Sequence, residues 1–543
     1  MINKKVVSAR TSMDSSIFYN HINTHHMTEQ QLNESVEIMK DRYKKHDHAT
    51  KEIFQGEELG AKHVKRLVEG GYLREIIEGW FYLPYDRTEE DESEFYMFYW
   101  PFVVAYLNSK YFDDWSLGAD DSLLFLSGNG VIPRQLVIRS QFAGGKVWKL
   151  PMGLELLEVG AEIPDETQRE TRYGLRIYPL HLALLKASPG FFRCHPREAR
   201  SCLALIEDEQ SLVDAAVDGG ICRGACRVAG GLKSIGNLTM PDDIITALRR
   251  YGYEAEMENP FWEDITIPQE STAVVSLIRL LWKEMRDQVA DIPHNFCLSP
   301  RDRSVAEIME MTGRAFVTDA FHSLGLSGYC VTKEMAEKAP GGGEEDDEDP
   351  SREPDRDEVT AQAYHDAYQK ARKDIIDSLT GGDEPAALIN RIEGWHTAMQ
   401  LHLWVMGVRK GGESSGFRKE EITVQESMYI PVEPVAIPEA MKVLSQLLVS
   451  EKSAFVRAVL GHFFIAYIHP FTDNNGVIAR LFMNSQLVAG GYPWSVIPGW
   501  KADLYNDALE KACTVGNIHD LAYLVAESIY RKDITVDSEE PED

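Results

Sequence analysis

The densest group of chemically capable side chains in the sequence lies between Tyr467 and Arg480, reading YIHPFTDNNGVIAR. An apolar run ends at Pro470, which has no N–H and clashes with the preceding turn, so a helix must stop there. His469 sits at that stop. Asp473, Asn474, Asn475 and Gly476 follow, all of them residues that tolerate positive φ or make tight turns. A second helix is expected directly after them, and backbone N–H groups at its N-terminus would form an anion nest. Asp473 offers the hard oxygen that suits Mg²⁺ bound to phosphates. Arg480, one turn into the second helix, points back at the same anion. A base, a metal ligand, an anion nest and an arginine thus fall within twelve residues. A helix–loop–helix with a merely polar turn has the same composition, and spacing alone leaves both readings open.

The elements that would position this loop are helical. Amphipathic spacing predicts helices over 359–379 and 386–408, the second stopped by Gly411-Gly412, and further helices over 438–448, 453–468 and 477–488. Residues 416–430 read as two short strands. The expected architecture is an all-α bundle with one small β-hairpin. It is preceded by residues 339–358, APGGGEEDDEDPSREPDRDE, an acidic, glycine- and proline-rich stretch that cannot bury a core and reads as a linker.

Upstream the pattern is mixed α+β. Residues 28–56 read as a polar helix capped at Thr28. A short basic helix then ends at Gly70-Gly71, and two β-like runs, 72–77 and 80–83, are joined by Glu78-Gly79. Helix, tight turn and hairpin is a winged-helix layout. The run LLFLSGNGVIPRQLVIRS reads as a hairpin about Asn129-Gly130, and 180–335 as mainly helical. The expected organisation is a winged-helix-like region 1–90, a mixed α/β to helical middle region 91–338, the acidic linker 339–358, the helical domain 359–535 and an acidic tail 536–543.

Composition bounds the function. The 543 residues carry a net charge of −30, so nucleic acid can be met only through a local basic patch. Lys62, Lys65, Arg66 and Arg74 supply one candidate, and residues 61–86 read either as a DNA contact or as a protein-interacting unit. Seven cysteines, an odd number, with no apolar leader behind the basic start, point to reduced thiols and a cytoplasmic protein. The longest apolar run, 454–468, contains Arg457 and His462 and is too short to span a bilayer, so no membrane association is expected. Cys194, Cys202, Cys222, Cys226 and His195 invite a zinc reading, but Cys194 and Cys202 are too far apart for a knuckle.

The loop resembles the signature of the Fic family, His-Pro-Phe-x-(Asp/Glu)-Gly-Asn-Gly-Arg-x-x-Arg. His469, Pro470, Phe471, Asp473, Asn475, Gly476 and Arg480 match seven of its nine specified positions. The flanks resemble the family in the same order. GFRKEEITV at 416–424 is similar to the entry of the family's target-binding flap, and the helices on either side of the loop fit as well, over roughly residues 360–530. The resemblance implies a protein nucleotidyltransferase that uses Mg²⁺ and ATP to place AMP on a Ser, Thr or Tyr hydroxyl of a target protein. His469 would be the general base and Asp473 the metal ligand, with Asn474, Asn475, Gly476 and Arg480 around the nucleotide. Tyr505 reads either as a platform for adenine or as a core tyrosine, and His462 as structural. Gly416, Phe417, Arg418 and Val424 would form the flap that receives the target. Residues 64–84 are similar to the recognition helix and wing of abortive-infection-type antitoxins.

Two departures fall inside the loop: Asn474 replaces a glycine and Val477 an arginine. They imply weaker triphosphate binding, a shifted nucleotide preference or lost transfer. The alternatives are a nucleotide sensor in a DNA-binding, antitoxin-like regulator, and transfer of another nucleotide or a phosphate group. Many family members carry an inhibitory Ser/Thr-x-x-x-Glu-Gly/Asn helix. Glu393-Gly394 and Glu78-Gly79 fail that pattern, with Ile389 and Arg74 at the hydroxyl position.

Overall fold

A computed structural model of the chain describes residues 7–8, 28–46, 50–84, 92–270, 272–341, 355–406 and 416–534. Most of the acidic linker, the Gly411-Gly412 helix stop, the tail and nearly all of the first 27 residues lie outside these. The chain divides into two compact units, one of residues 1–8, 278–424 and 429–543, the other of 9–277 and 425–428. The division therefore falls near 277, well before the acidic stretch, and helices from 278 onward belong with the helical bundle. Among the described residues no helix is long and apolar enough to cross a membrane.

The unit holding the signature loop contains strand β1 (Val7–Ser8) and helices α1 (Val305–Leu326), α2 (Arg356–Leu379) and α3 (Ile392–Val405). Strand β2 (Ile422–Thr423) follows, then α4 (Ile437–Ser450), α5 (Ala454–Ile468), α6 (Asn475–Ala489) and α7 (Ala502–Val515). Helix α1 starts at a capping box, in which Ser304 accepts from the Glu307 N–H while Glu307 reaches back to Ser304. Helix α2 begins inside the expected linker, because Asp355 caps it by accepting from the N–H groups of Asp357 and Glu358. Helices α5 and α6 are buried on nearly every face, as the central pair of a bundle must be. At Gly461 a Cβ would run into the Phe482 ring, so glycine is what lets these two helices approach.

The expected hairpin between 416 and 430 does not form. Among the described residues the segment holds one two-residue strand, β2, and it pairs antiparallel with β1, Val7 opposite Thr423 and Ser8 opposite Ile422. The pairing partner comes from more than 400 residues away, which local pattern cannot reveal.

In the other unit, helix Glu29–Tyr43 is capped by Thr28. Strand Ile53–Gln55, helices Gly56–Leu59 and Ala61–Glu69, and strands Arg74–Ile77 and Trp80–Tyr82 follow. The strands form an antiparallel sheet with Trp80–Tyr82 in the middle. Leu32, Val36, Met39, Phe54, Leu67 and Phe81 make its core. Further on, a four-stranded sheet includes a parallel pair, Gln135–Ser140 with Glu155–Gly160. The hairpin expected about Asn129-Gly130 is absent: residues 119–126 are a helix. Asn129 instead closes a local turn by accepting from the Val131 N–H at 2.9 Å. Short apolar runs fit either period, and here Asp120 and Asp121 in the first turn favour the helix.

Candidate active site

Where α5 stops, His469 takes a left-handed backbone, φ 53° and ψ 60°, with its N–H still bonded to the Ile465 carbonyl at 2.9 Å. That conformation costs a non-glycine residue about 1 kcal/mol, and histidine is among the residues that visit it most readily. The side chain is buried. Its Nδ1 lies 3.2 Å from the Ala466 carbonyl. A carbonyl only accepts, so Nδ1 carries the proton and Nε2 keeps its lone pair. Among the described residues Nε2 has no hydrogen-bond partner. Burial, reinforced by the nearby Arg418 cation and opposed by the Ala466 contact, pushes the imidazole down to about 4. At neutral pH it is an unprotonated base.

The first half of the loop is braced from several sides. Arg418 donates through Nε to the His469 carbonyl at 2.8 Å, and its backbone N–H donates to the Pro470 carbonyl at 2.8 Å. Its other nitrogens hold the carbonyls of Glu420 and Val432. Asn475 bridges the turn, accepting from the Phe471 N–H at 2.9 Å and donating to the Phe471 carbonyl at 2.8 Å. The Phe471 ring stacks on His396 of α3, centroids 4.0 Å apart. Asp473 accepts from Gln400 of α3 at 2.5 Å, with His396 Nε2 at 3.5 Å.

Helix α6 opens at Asn474, also left-handed at φ 55° and ψ 15°. Its first N–H groups have no intrahelical acceptors. Arg480, buried at 4% exposure, lies beside Gly476, where an added Cβ would meet its guanidinium at 3.1 Å. The guanidinium sits at the C-terminal end of α1. It donates to the Ser323 hydroxyl (2.9 Å) and carbonyl (2.6 Å), to the Ser327 hydroxyl (2.7 Å) and to the Tyr505 hydroxyl (3.1 Å). Every partner is neutral, and among the described residues no carboxylate pairs with it. The negative end of the α1 dipole offsets part of the charge. The rest is the kind of buried positive charge that an incoming anion satisfies.

The candidate residues thus divide by task. His469, Asp473, Gly476 and Arg480 gather at the loop. Asn475 is spent on holding the turn. Tyr505 is not an open platform for adenine: it is 2% exposed, its ring lies against His462, and its hydroxyl bridges His462 Nε2 at 2.8 Å to Arg480. Burial, then Arg480, pushes His462 down to about 3, so it stays neutral. Arg418, at 3% exposure, faces the loop and not a target, and Phe417 leans on Phe471 with centroids 6.0 Å apart. Gly416 takes φ 108°, and Val424, just past β2, is half-buried. Val477 is fully buried.

Sequence reasoning missed the supports on α1 and α3, because Gln400 and Ser323 lie 73 and 157 residues from the groups they hold. One signal was available. Ser323-x-x-x-Ser327-Gly328 fits the inhibitory pattern at its first and last positions, with serine where the glutamate belongs. It is this segment that receives Arg480.

As for a metal, among the described residues no three His, Cys, Asp or Glu side chains cluster to hold one, at the loop or at the cysteines. The loop does suit an ion that brings most of its shell with it. Asp473 is a single buried carboxylate beside a free helix N-terminus, and Mg²⁺ characteristically takes one or two carboxylates plus phosphates and water.

Residues 395–487 match the Fic/DOC family model. The chain is 30% identical over 147 residues to the protein adenylyltransferase Fic of Drosophila virilis, covering 26% of this chain and 30% of that protein. It is 32% identical over 133 residues to the protein of the same name in Drosophila melanogaster, covering 24% and 26%. The matches thus span less than a third of those relatives' length. Among solved structures, Fic-1 from C. elegans aligns at 16% identity and a TM-score of 0.36, covering 66% of this chain and 99% of that one. A Fic domain of IbpA in complex with adenylylated Cdc42 aligns at 12% and 0.25, covering 48% and 95%. Signature, loop geometry and family match coincide on one stretch of chain, and residues 395–487 are a Fic domain.

Proposed function

We propose that the chain is a protein adenylyltransferase that moves AMP from ATP to a hydroxyl on a target protein. The observation that carries this reading is His469, a buried imidazole with its proton fixed on Nδ1 and a bare Nε2 beside an anion-seeking helix end. Nε2 takes the proton of a Ser, Thr or Tyr hydroxyl as its oxygen forms a bond to the α-phosphorus. The bond from that phosphorus to the bridging oxygen breaks, and pyrophosphate leaves with the electron pair. The α6 N-terminus, Gly476 and Arg480 hold the phosphates. Asp473, oriented by Gln400, would hold Mg²⁺, which when bound neutralises phosphate charge. Ser327 stands where an inhibitory glutamate would, so among the described residues Arg480 meets a hydroxyl and not a carboxylate on that segment.

The experiment is incubation of the full chain with Mg²⁺ and each NTP labelled at the α-phosphate, in the presence of lysate proteins. AMP label that disappears with His469→Ala is the expected result. No label from any nucleotide, or label indifferent to that substitution, would overturn the reading.

For residues 29–82 we propose a winged-helix unit that faces protein and not DNA. Its element order fits that layout, but three of its four candidate basic residues already face carboxylates. Arg66 pairs with Glu34 at 3.1 Å and Arg74 with Glu94 at 2.8 Å, while Lys65 lies 3.8 Å from Glu69. Salt-dependent retention of the chain on duplex DNA, weakened by Lys62→Glu, would reverse this assignment.

A further inference from the structure

Resting on the transferase reading, we infer that the side-chain amide of Asn474, held in orientation by Tyr329, supplies a phosphate donor in place of the arginine missing at Val477. Asn474 occupies the N-cap position of α6. An asparagine there ordinarily turns its oxygen onto the N–H groups of the first helical turn. This one makes no such bond. Its Oδ1 instead accepts from the Tyr329 hydroxyl at 3.0 Å.

The diversion has two consequences. The first-turn N–H groups of α6 stay available to an anion. With Oδ1 committed to Tyr329, the orientation of the amide is fixed, and Nδ2 is left on its other side. That nitrogen is buried, in a residue only 7% exposed, and among the described residues it has no hydrogen-bond partner. A buried N–H₂ without an acceptor is rare in folded proteins and calls for a ligand. Here it adjoins a free helix N-terminus and lies six residues before a buried guanidinium with only neutral partners. The acceptor that fits all three is a phosphoryl oxygen.

Glycine would take the left-handed backbone at φ 55° with no steric cost. Asparagine accepts that cost and brings a donor. The loop therefore grips a triphosphate with one guanidinium and one neutral amide where the family pattern has two guanidiniums. Tyr329 does not touch the nucleotide; it is a positioning residue that acts through Asn474.

The test is equilibrium binding of labelled Mg-ATP to the full chain, read beside steady-state transfer. Deleting one hydrogen bond to a charged group corresponds to roughly tenfold in affinity. Asn474→Gly should weaken binding by about that factor and Tyr329→Phe by about threefold, both appearing in KM for ATP with kcat within about twofold. The double variant should bind no worse than Asn474→Gly alone, because the two residues act as one unit. Unchanged or tighter binding by Asn474→Gly would overturn the inference. So would a Tyr329→Phe loss that is as large on top of Asn474→Gly as by itself. Thermal unfolding checks the fold of each variant. Should Asn474→Gly prove unstable, Asn474→Asp keeps the shape, swaps the donor for a carboxylate, and should lower affinity well beyond tenfold; undiminished binding would again overturn the inference. Wild-type protein that binds no nucleotide at all would refute the transferase reading itself, an outcome distinct from wild type binding and Asn474→Gly binding equally.

Discussion

The two halves of the signature loop are built on different terms. From His469 to Asp473 every position of the family pattern is kept, and each residue is fixed by contacts aimed at it: Arg418 on the His469 and Pro470 carbonyls, Asn475 on Phe471, Gln400 on Asp473. From Asn474 to Arg480 two pattern positions are replaced; the replacement Asn474 accepts from the Tyr329 hydroxyl, and the retained Arg480 donates to hydroxyls at the end of α1 and on α7. The difference follows from what each half must do. Proton transfer needs one lone pair at one place and has no substitute. Holding phosphates is a sum over many donors, so one cation can be lost and partly replaced by a neutral group.

Breaking the first half should therefore cost most. His469→Ala should lower transfer by about a hundredfold or more while leaving Mg-ATP binding nearly intact. Label transfer measured beside binding checks both parts, and equal losses in the two would erase the division between the halves. Next in size, Ser327→Glu would set a carboxylate against Arg480 where a hydroxyl now sits 2.7 Å away. The new ion pair should compete with phosphate and weaken ATP binding by roughly tenfold, and Ser327→Gln should not. Gln400→Ala removes one of the holds on Asp473. A severalfold rise in the Mg²⁺ concentration for half-maximal transfer is expected, with little change in affinity for the target.

A separate effect falls on stability and not on transfer. His462 and His469 sit well below their ordinary 6.5, near 3 and 4, because burial disfavours the charged ring. Folded protein thus refuses protons that the unfolded chain accepts. The stability is fully present above pH 6.5 and falls as pH drops toward 4, with a contribution from each histidine. His462→Gln should flatten the fall in unfolding temperature between pH 7 and 5. An unchanged slope would mean that other groups dominate acid unfolding.

The sequence disclosed the loop because its logic is local. Pro470 ends one helix, the Asp-Asn-Asn-Gly run turns, and the next helix starts; the helix expected over 453–468 is observed as Ala454–Ile468. The supports were hidden because they are tertiary. Nothing near residue 323 announces that its hydroxyl will meet Arg480. Tyr505 lay in the right neighbourhood and had the right chemistry for a nucleotide platform, yet burial gave it to Arg480 and His462. In the other unit, residues 119–126 show the converse failure: a short apolar run carries no period long enough to tell helix from strand.

The pairing of Val7–Ser8 with Ile422–Thr423 has a consequence for the chain's behaviour in company. An uncovered strand edge is a template on which any extended polypeptide can polymerise, and native sheets commonly blunt it. Here the blunting piece belongs to the same molecule. Its local concentration is set by chain connectivity, so dilution does not strip it off and crowding does not add to it. With only two residues engaged, the cover reaches no further than Ile422 and Thr423.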